Sequence, residues 1–182
     1  MASENPAPPP AKPGQFFLKT EPLPGAAAGR YSNLYLRQHS VANPAVVLTE
    51  GTPRFLRASV ADDLAGVGVD FTSWAPRHEG RKWALVLSSG THDGTSAARW
   101  ESVEIVDNGS DASLKFQTVA GEGVGGEVAA GEALRGGERW AGWMACEWSL
   151  GHPQLFWITD QAGDHKLPDF CERVRVVRAL IQ

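Results

Sequence analysis

The chain has 182 residues and a mass of 19.5 kDa, enough for one domain that buries a core without a metal or a crosslink. Apolar residues make up 42% of the sequence and charged residues 21%, which is ordinary for a globular protein. The net charge of −4 argues against a nucleic acid or an anionic membrane surface as the main partner, and no apolar run approaches the roughly 20 residues of a membrane-spanning helix.

The first segment, residues 1–14, consists almost entirely of Pro, Ala and small polar residues. Such a segment cannot bury enough apolar surface to offset the entropy of ordering it, so we predict a disordered tail over residues 1–14. It has neither the basic region nor the apolar region of a secretory signal. The sequence therefore predicts either a cytoplasmic protein or the mature form of a secreted one.

Short runs of β-branched and aromatic residues, separated by turn signals, follow the tail in the pattern of an all-β protein. We predict one domain over residues 15–182, built as an antiparallel β-sandwich or barrel. In chain order, strands are expected within 15–23, 30–40, 45–51, 53–60, 69–75, 82–90, 99–119, 142–148 and 153–159.

Two of the later segments carry more specific expectations. The segment 99–119 is predicted to be a hairpin that turns at Asn108–Gly109, a dipeptide typical of tight turns between strands. The last segment, 171–182, fits both a helical stripe and a strand in which Val174 and Val176 alternate with arginines. We predict a strand there, because the rest of the chain has the β pattern.

The glycine-rich segment places Gly121, Gly123 and Gly126 at the G-x-G-x-x-G spacing of a dinucleotide-binding loop. That loop requires a helix after it, whose N-terminus binds the pyrophosphate. Here more glycines follow, and the carboxylates of Glu122 and Glu127 would repel phosphate. We therefore predict a mobile surface loop and no nucleotide cofactor.

No spacing typical of a metal site or of a catalytic group occurs in the sequence. The five histidines do not form H-x-H or H-E-x-x-H, and C-x-x-C and G-x-S-x-G are absent. We predict no metal and no cofactor, and we assign no catalytic residue. Catalysis by positioning and desolvation needs no nucleophile, so an enzyme is still an alternative.

Tryptophan density is the most unusual feature, since four of the seven tryptophans lie between positions 140 and 157. On a strand over 142–148, Trp143 and Glu147 share one face and Trp148 lies on the other. Such a strand packs on both sides or lines a cavity with one of them. We predict that a small apolar or aromatic ligand binds at Trp143, Glu147, Trp148 and Trp157, with Glu147 as the polar group. Packing of these tryptophans in the core is the alternative.

The segment Gly142–Trp157, GWMACEWSLGHPQLFW, resembles the G-W-x-x-C-x-W and P-Q-L-F-W signature of a family of small fungal proteins described only as a domain of unknown function. The resemblance extends over residues 15–180 and implies a β-rich fold that is usually secreted. It also implies a disulfide between Cys146 and Cys171. The spacing of these cysteines by itself leaves a disulfide and two reduced thiols equally open.

Three functions are compatible with these features. The first is a non-catalytic protein that binds a small apolar or aromatic ligand or acts as a secreted or cell-surface interaction protein. The second is a cyclase or isomerase of fungal secondary metabolism, with Glu147, Asp160 or a histidine as the acid–base group. The third is a carbohydrate-binding module that uses exposed tryptophans. The burial of the tryptophans distinguishes the three, and the oligomeric state is not indicated by the sequence.

Overall fold

A computed structural model describes residues 10–40, 42–51, 56–60, 66–71, 82–88, 99–123 and 126–181. Residues 1–9 of the predicted tail lie outside the described residues, as do parts of the strands predicted within 53–60, 69–75 and 82–90. The strands are β1 (Phe16–Glu21), β2 (Tyr35–Ser40), β3 (Asn43–Thr49), β4 (Leu56–Val60), β5 (Val67–Phe71), β6 (Trp83–Leu87), β7 (Trp100–Asp107), β8 (Lys115–Gly123), β9 (Gly126–Arg135), β10 (Trp140–Glu147), β11 (Pro153–Thr159) and β12 (Cys171–Leu180).

Nine of these strands form a closed antiparallel barrel, which confirms the all-β prediction and selects the barrel over the sandwich. Their order around the wall is β1-β4-β5-β6-β7-β3-β11-β10-β12, and β12 pairs with β1 to close the wall. β2 bridges β1 and β3. The β8–β9 hairpin joins the barrel through β12.

Alternation along the strands directs one face of each into the barrel. On β12, Val174 and Val176 are buried in the core, whereas Arg173 is exposed and Arg175 is half-buried on the other face. The strand predicted for the C-terminal segment is thus confirmed. The core contains side chains of the wall strands, among them Leu48, Leu85, Ile105 and Leu155, together with Leu36 of β2, Leu134 of β9 and Leu114, which precedes β8.

The hairpin predicted within 99–119 is wrong. The chain does turn at Asn108, whose φ is 53°, but β7 pairs with β6, β3 and β11 rather than with β8. β8 instead pairs with β9. The reason is physical: a turn dipeptide favours a reversal of the chain and does not choose the strand that pairs afterwards.

The surface loop predicted for the glycine-rich segment is also wrong. Residues 121–123 end β8 and Gly126 begins β9, so the glycines with nucleotide-loop spacing lie in two antiparallel strands. Glu122 is opposite Glu127 in the register of this pair. Pairing between the two strands satisfies the backbone groups that a loop would leave to water, and this outweighs the low strand propensity of glycine.

A second apolar cluster lies on the outer face of β10, β11 and β12, beside a 3₁₀ turn over Asp160–Ala162. Met144 and Cys146 pack there, while Trp143 points into the barrel, so β10 buries residues on both faces. Cys146 lies directly opposite Cys171, with Cα atoms 4.1 Å apart, and the two form a disulfide. The disulfide implied by the resemblance is therefore confirmed.

Tyr31 connects the segment between β1 and β2 to the same end of β10. Its Oη donates to the carbonyl of Phe170 at 2.7 Å and accepts from the N–H of Glu147 at 3.0 Å. The side chain is only 2% exposed. Burial raises the pKa of the Tyr31 phenol above its ordinary value, because the phenolate would lose its hydration there.

We expect the double variant Cys146→Ala/Cys171→Ala to lose about 3 kcal/mol of unfolding free energy, since the disulfide limits the unfolded chain across 25 residues. Urea denaturation under non-reducing conditions measures the difference. The control is reductant, which should destabilise the wild type by a similar amount and leave the variant unchanged. Equal stability of variant and oxidised wild type would contradict the prediction.

We expect Tyr31 to contribute to a loss of stability in alkaline solution. An unfolded tyrosine ionises near pH 10, and the folded pKa of Tyr31 is higher, so its contribution is complete below about pH 10 and is lost as pH rises through the folded pKa. Tyr31→Phe should be less stable at neutral pH by about 1 kcal/mol, because the hydrogen bonds of the Tyr31 Oη with Phe170 and Glu147 are lost, and should lose less further stability with alkali. Urea denaturation across pH 8–11 tests this, with Tyr35→Phe as the control.

Candidate functional site

The structure places Trp143 and Trp157 inside the barrel, opposite each other on β10 and β11. Their exposed fractions are 2% and 5%. Each indole N–H has a backbone acceptor: Trp143 donates to the carbonyl of Leu134 at 2.6 Å, and Trp157 to that of Ser88 at 3.0 Å. Both tryptophans therefore serve as core residues with satisfied polar atoms.

The other two predicted site residues lie away from these tryptophans. Glu147 shares the strand face of Trp143 by alternation, but it ends β10 and is exposed, so it lacks the burial that an acid–base role would need. Trp148 is 48% exposed, and its ring is 5.9 Å from that of Phe156 and 5.7 Å from that of Phe170. The four predicted residues are thus not brought together in one pocket.

A cleft of about 270 Å³ opens beside Trp143 between β9, β10 and β12, and is termed here the wall cleft. It lies where β12 changes partner: Val174 pairs with Trp143 of β10, and Val177 pairs with Ala133 of β9. The Trp143–Leu134 hydrogen bond joins β10 to β9 across this gap. The lining consists of Leu23, Pro24, Ala133, Leu134, Arg135, Trp140, Ala141, Gly142, Trp143, Arg173, Val174 and Arg175.

The lining of the wall cleft is apolar except for three arginines. The guanidinium of Arg135 lies 5.0 Å from the ring centre of Trp140, a cation–π distance. Arg173 makes a long contact of 3.5 Å with the carbonyl of Ala141. Arg175 forms an ion pair of 2.6 Å with Glu21 on β1. The cleft therefore combines an aromatic surface with positive charge.

A second, more open cleft of about 350 Å³, termed here the rim cleft, lies on the other side of Trp140 and reaches Trp157. Its charged residues are Asp111, Glu138 and Arg139. Asp111 is committed to the fold, because its carboxylate accepts from the N–H of Leu87 and from the N–H of Ser113 at 3.0 Å each. The rim cleft thus differs from the wall cleft in carrying negative charge.

The described part of the chain contains no cluster of three or more His, Cys, Asp or Glu side chains that could hold a metal ion. His39, His152 and His165 line neither cleft, and His78 and His92 lie outside the described residues. No helix within the described ranges is long and apolar enough to cross a membrane.

Sequence reasoning missed Trp140 and the arginines as site residues. Trp140 belongs to the dense tryptophan segment, lines both clefts, and has its ring 5.6 Å from that of Trp143. In the sequence, Arg173 and Arg175 are as compatible with a solvated strand face as with a binding site. Only the pairing of β12 with both β9 and β10 brings them to Arg135.

Comparison with known proteins places the chain in one family. Residues 13–180 match the family described as a domain of unknown function, DUF7907. No curated protein and no solved structure matches the chain.

We expect Trp143→Phe to lower the unfolding free energy by about 1–3 kcal/mol, because the buried carbonyl of Leu134 loses its indole donor and the core loses volume. Urea denaturation measures the change. The control, Trp148→Phe at an exposed position, should change stability by less than about 0.5 kcal/mol. Equal effects of the two substitutions would contradict the structural role of Trp143.

Proposed function

The chain belongs to the DUF7907 domain family, and we propose that it is a non-catalytic protein that binds a small apolar or aromatic molecule in the wall cleft. The observation that supports this most directly is the position of the cleft. It opens where β9 and β10 pair in succession with β12, and both Trp140 and Trp143 line it. Concave apolar surface with a few convergent polar groups is typical of small-molecule sites.

The volume of the wall cleft limits the size of the ligand. At about 270 Å³ it lies just below the usual range for ligand pockets, so it suits a small molecule with two or three rings. Leu23 and Pro24, which follow β1, form one side, and the ring of Trp140 belongs to the lining as well. Burial of an apolar ring against these side chains would supply the main driving force.

Binding is favoured over a cyclase or isomerase by the positions of the candidate acid–base groups. Glu147 is exposed at the end of β10, and Asp160 forms an ion pair with Arg139 at 3.4 Å. Neither carboxylate lines the wall cleft. A proton-transfer group must lie within hydrogen-bonding reach of the bound molecule, and these two groups do not meet that requirement.

We further propose that the protein is of fungal type and acts outside the cell. The disulfide between Cys146 and Cys171 supports this location, because disulfides form and persist in oxidising compartments. The resemblance of the segment Gly142–Trp157 to secreted fungal proteins supports it as well.

The test of binding uses N-phenyl-1-naphthylamine, an uncharged aromatic probe whose fluorescence rises in apolar surroundings. We expect the wild type to bind this probe. Leu23→Ser should weaken binding about tenfold, because Leu23 lines the cleft, is 38% exposed and would lose its apolar contact with the probe. Leu180→Ser is the matched control, because Leu180 is 86% exposed and lines neither cleft.

Two outcomes would overturn the proposal. The first is that the wild type does not bind the probe. The second is that Trp148→Ala abolishes binding while Leu23→Ser leaves it unchanged, which would place the binding surface at the exposed ring of Trp148. Circular dichroism of each variant verifies that the barrel is intact.

A further inference from the structure

We propose that the wall cleft selects a carboxylate, so that its ligand is a small aromatic or apolar acid held by Arg135 and Arg173. This inference rests on the proposed function and adds the charge of the ligand to it. It is drawn from the arginines that line the cleft, whose charge is opposite in sign to that of the protein as a whole, −4.

Two of the arginines in the cleft carry positive charge that no acidic side chain in the described part of the chain compensates. The guanidinium of Arg135 lies over the ring of Trp140, and Arg173 contacts the backbone carbonyl of Ala141. Arg175 differs, because Glu21 forms an ion pair with it at 2.6 Å.

The arrangement leaves hydrogen-bond donors for a ligand. A guanidinium has several N–H donors in one plane, and a carboxylate can bind two of them in bidentate fashion. Arg135 is exposed, and its Cζ lies over the ring of Trp140, 5.0 Å from the ring centre. Its N–H donors are therefore accessible to a ligand whose ring packs beside the same indole.

Gly142 lies beside Arg173 in the lining of the wall cleft. It has a φ of +145°, which side chains rarely adopt, at the irregularity where β10 shifts register against β11. A Cβ at Gly142 would lie 3.4 Å from Nη1 of Arg173, an ordinary van der Waals distance, so the backbone conformation and not the space requires glycine here.

Comparison of the two clefts supports the assignment of an acid to the wall cleft. No Asp or Glu belongs to the lining of the wall cleft, which includes three arginines. The rim cleft, by contrast, has Asp111 and Glu138 beside Arg139. An anion in the rim cleft would be repelled by these carboxylates, whereas the wall cleft would attract it.

The experiment compares naphthalene-2-carboxylate with naphthalene-2-carboxamide, which has nearly the same shape and no charge. Isothermal titration calorimetry at neutral pH should give a Kd at least about tenfold lower for the carboxylate, because hydrogen bonds to charged groups are the stronger class. Added NaCl should weaken binding of the carboxylate and leave binding of the amide unchanged.

Variants then test the arginines. Arg135→Gln and Arg173→Gln should each reduce the preference for the carboxylate about tenfold, while binding of the amide changes little. Arg99→Gln is the control, since Arg99 is exposed and lines neither cleft. Equal Kd values for the two compounds in the wild type, no binding of the carboxylate, or an unchanged preference in both variants would overturn the inference.

The two proposals can fail separately. If N-phenyl-1-naphthylamine binds at Leu23 but the carboxylate and the amide bind equally, the protein binds apolar molecules and the selection of an acid is wrong. If the uncharged probe does not bind but the carboxylate binds with dependence on Arg135 and Arg173, the apolar-ligand proposal fails and the anion site stands.

Discussion

β12 has two edges but pairs with three strands, and this constraint determines how the wall is arranged around it. β1 occupies one edge along its full length, from Phe16 to Glu21. β10 and β9 share the other edge in succession. Two strands that share an edge must separate from each other, and the indole of Trp143 spans the resulting gap. The wall cleft is therefore a consequence of how the barrel pairs, rather than an irregularity of its surface.

The two ends of the β10–β12 pair are held very differently. At one end, the Cys146–Cys171 disulfide links the two strands covalently. Hydrogen bonds of Tyr31 also join that end to the segment before β2. At the other end the strands separate beside Gly142. The disulfide and the wall cleft therefore lie at opposite ends of the same strand pair.

Alternation of apolar residues predicted most of the strands, because a strand with one buried face has apolar residues at every second position of its own sequence. Pro153–Thr159 matches the predicted strand at both ends, and Trp143 is buried in the core, the alternative given for the tryptophans. Partner strands were not predictable in this way: Asn108 turns the chain, yet the strand after it pairs elsewhere. The candidate site depends on such pairing, since β9 supplies Arg135 and β12 supplies Arg173. Neither arginine has a neighbour in sequence that marks it as part of a site.

The pairing of the first strand with the last has a consequence for biosynthesis. β1 is synthesised before the other described strands but has no partner on the β12 side until β12 has been made. Contacts this distant in sequence make folding slow, and an unpaired strand edge is a place where other chains can add. The disulfide also requires β12, because Cys171 begins that strand. Closure of the wall and oxidation of the cysteines therefore both wait for the synthesis of β12.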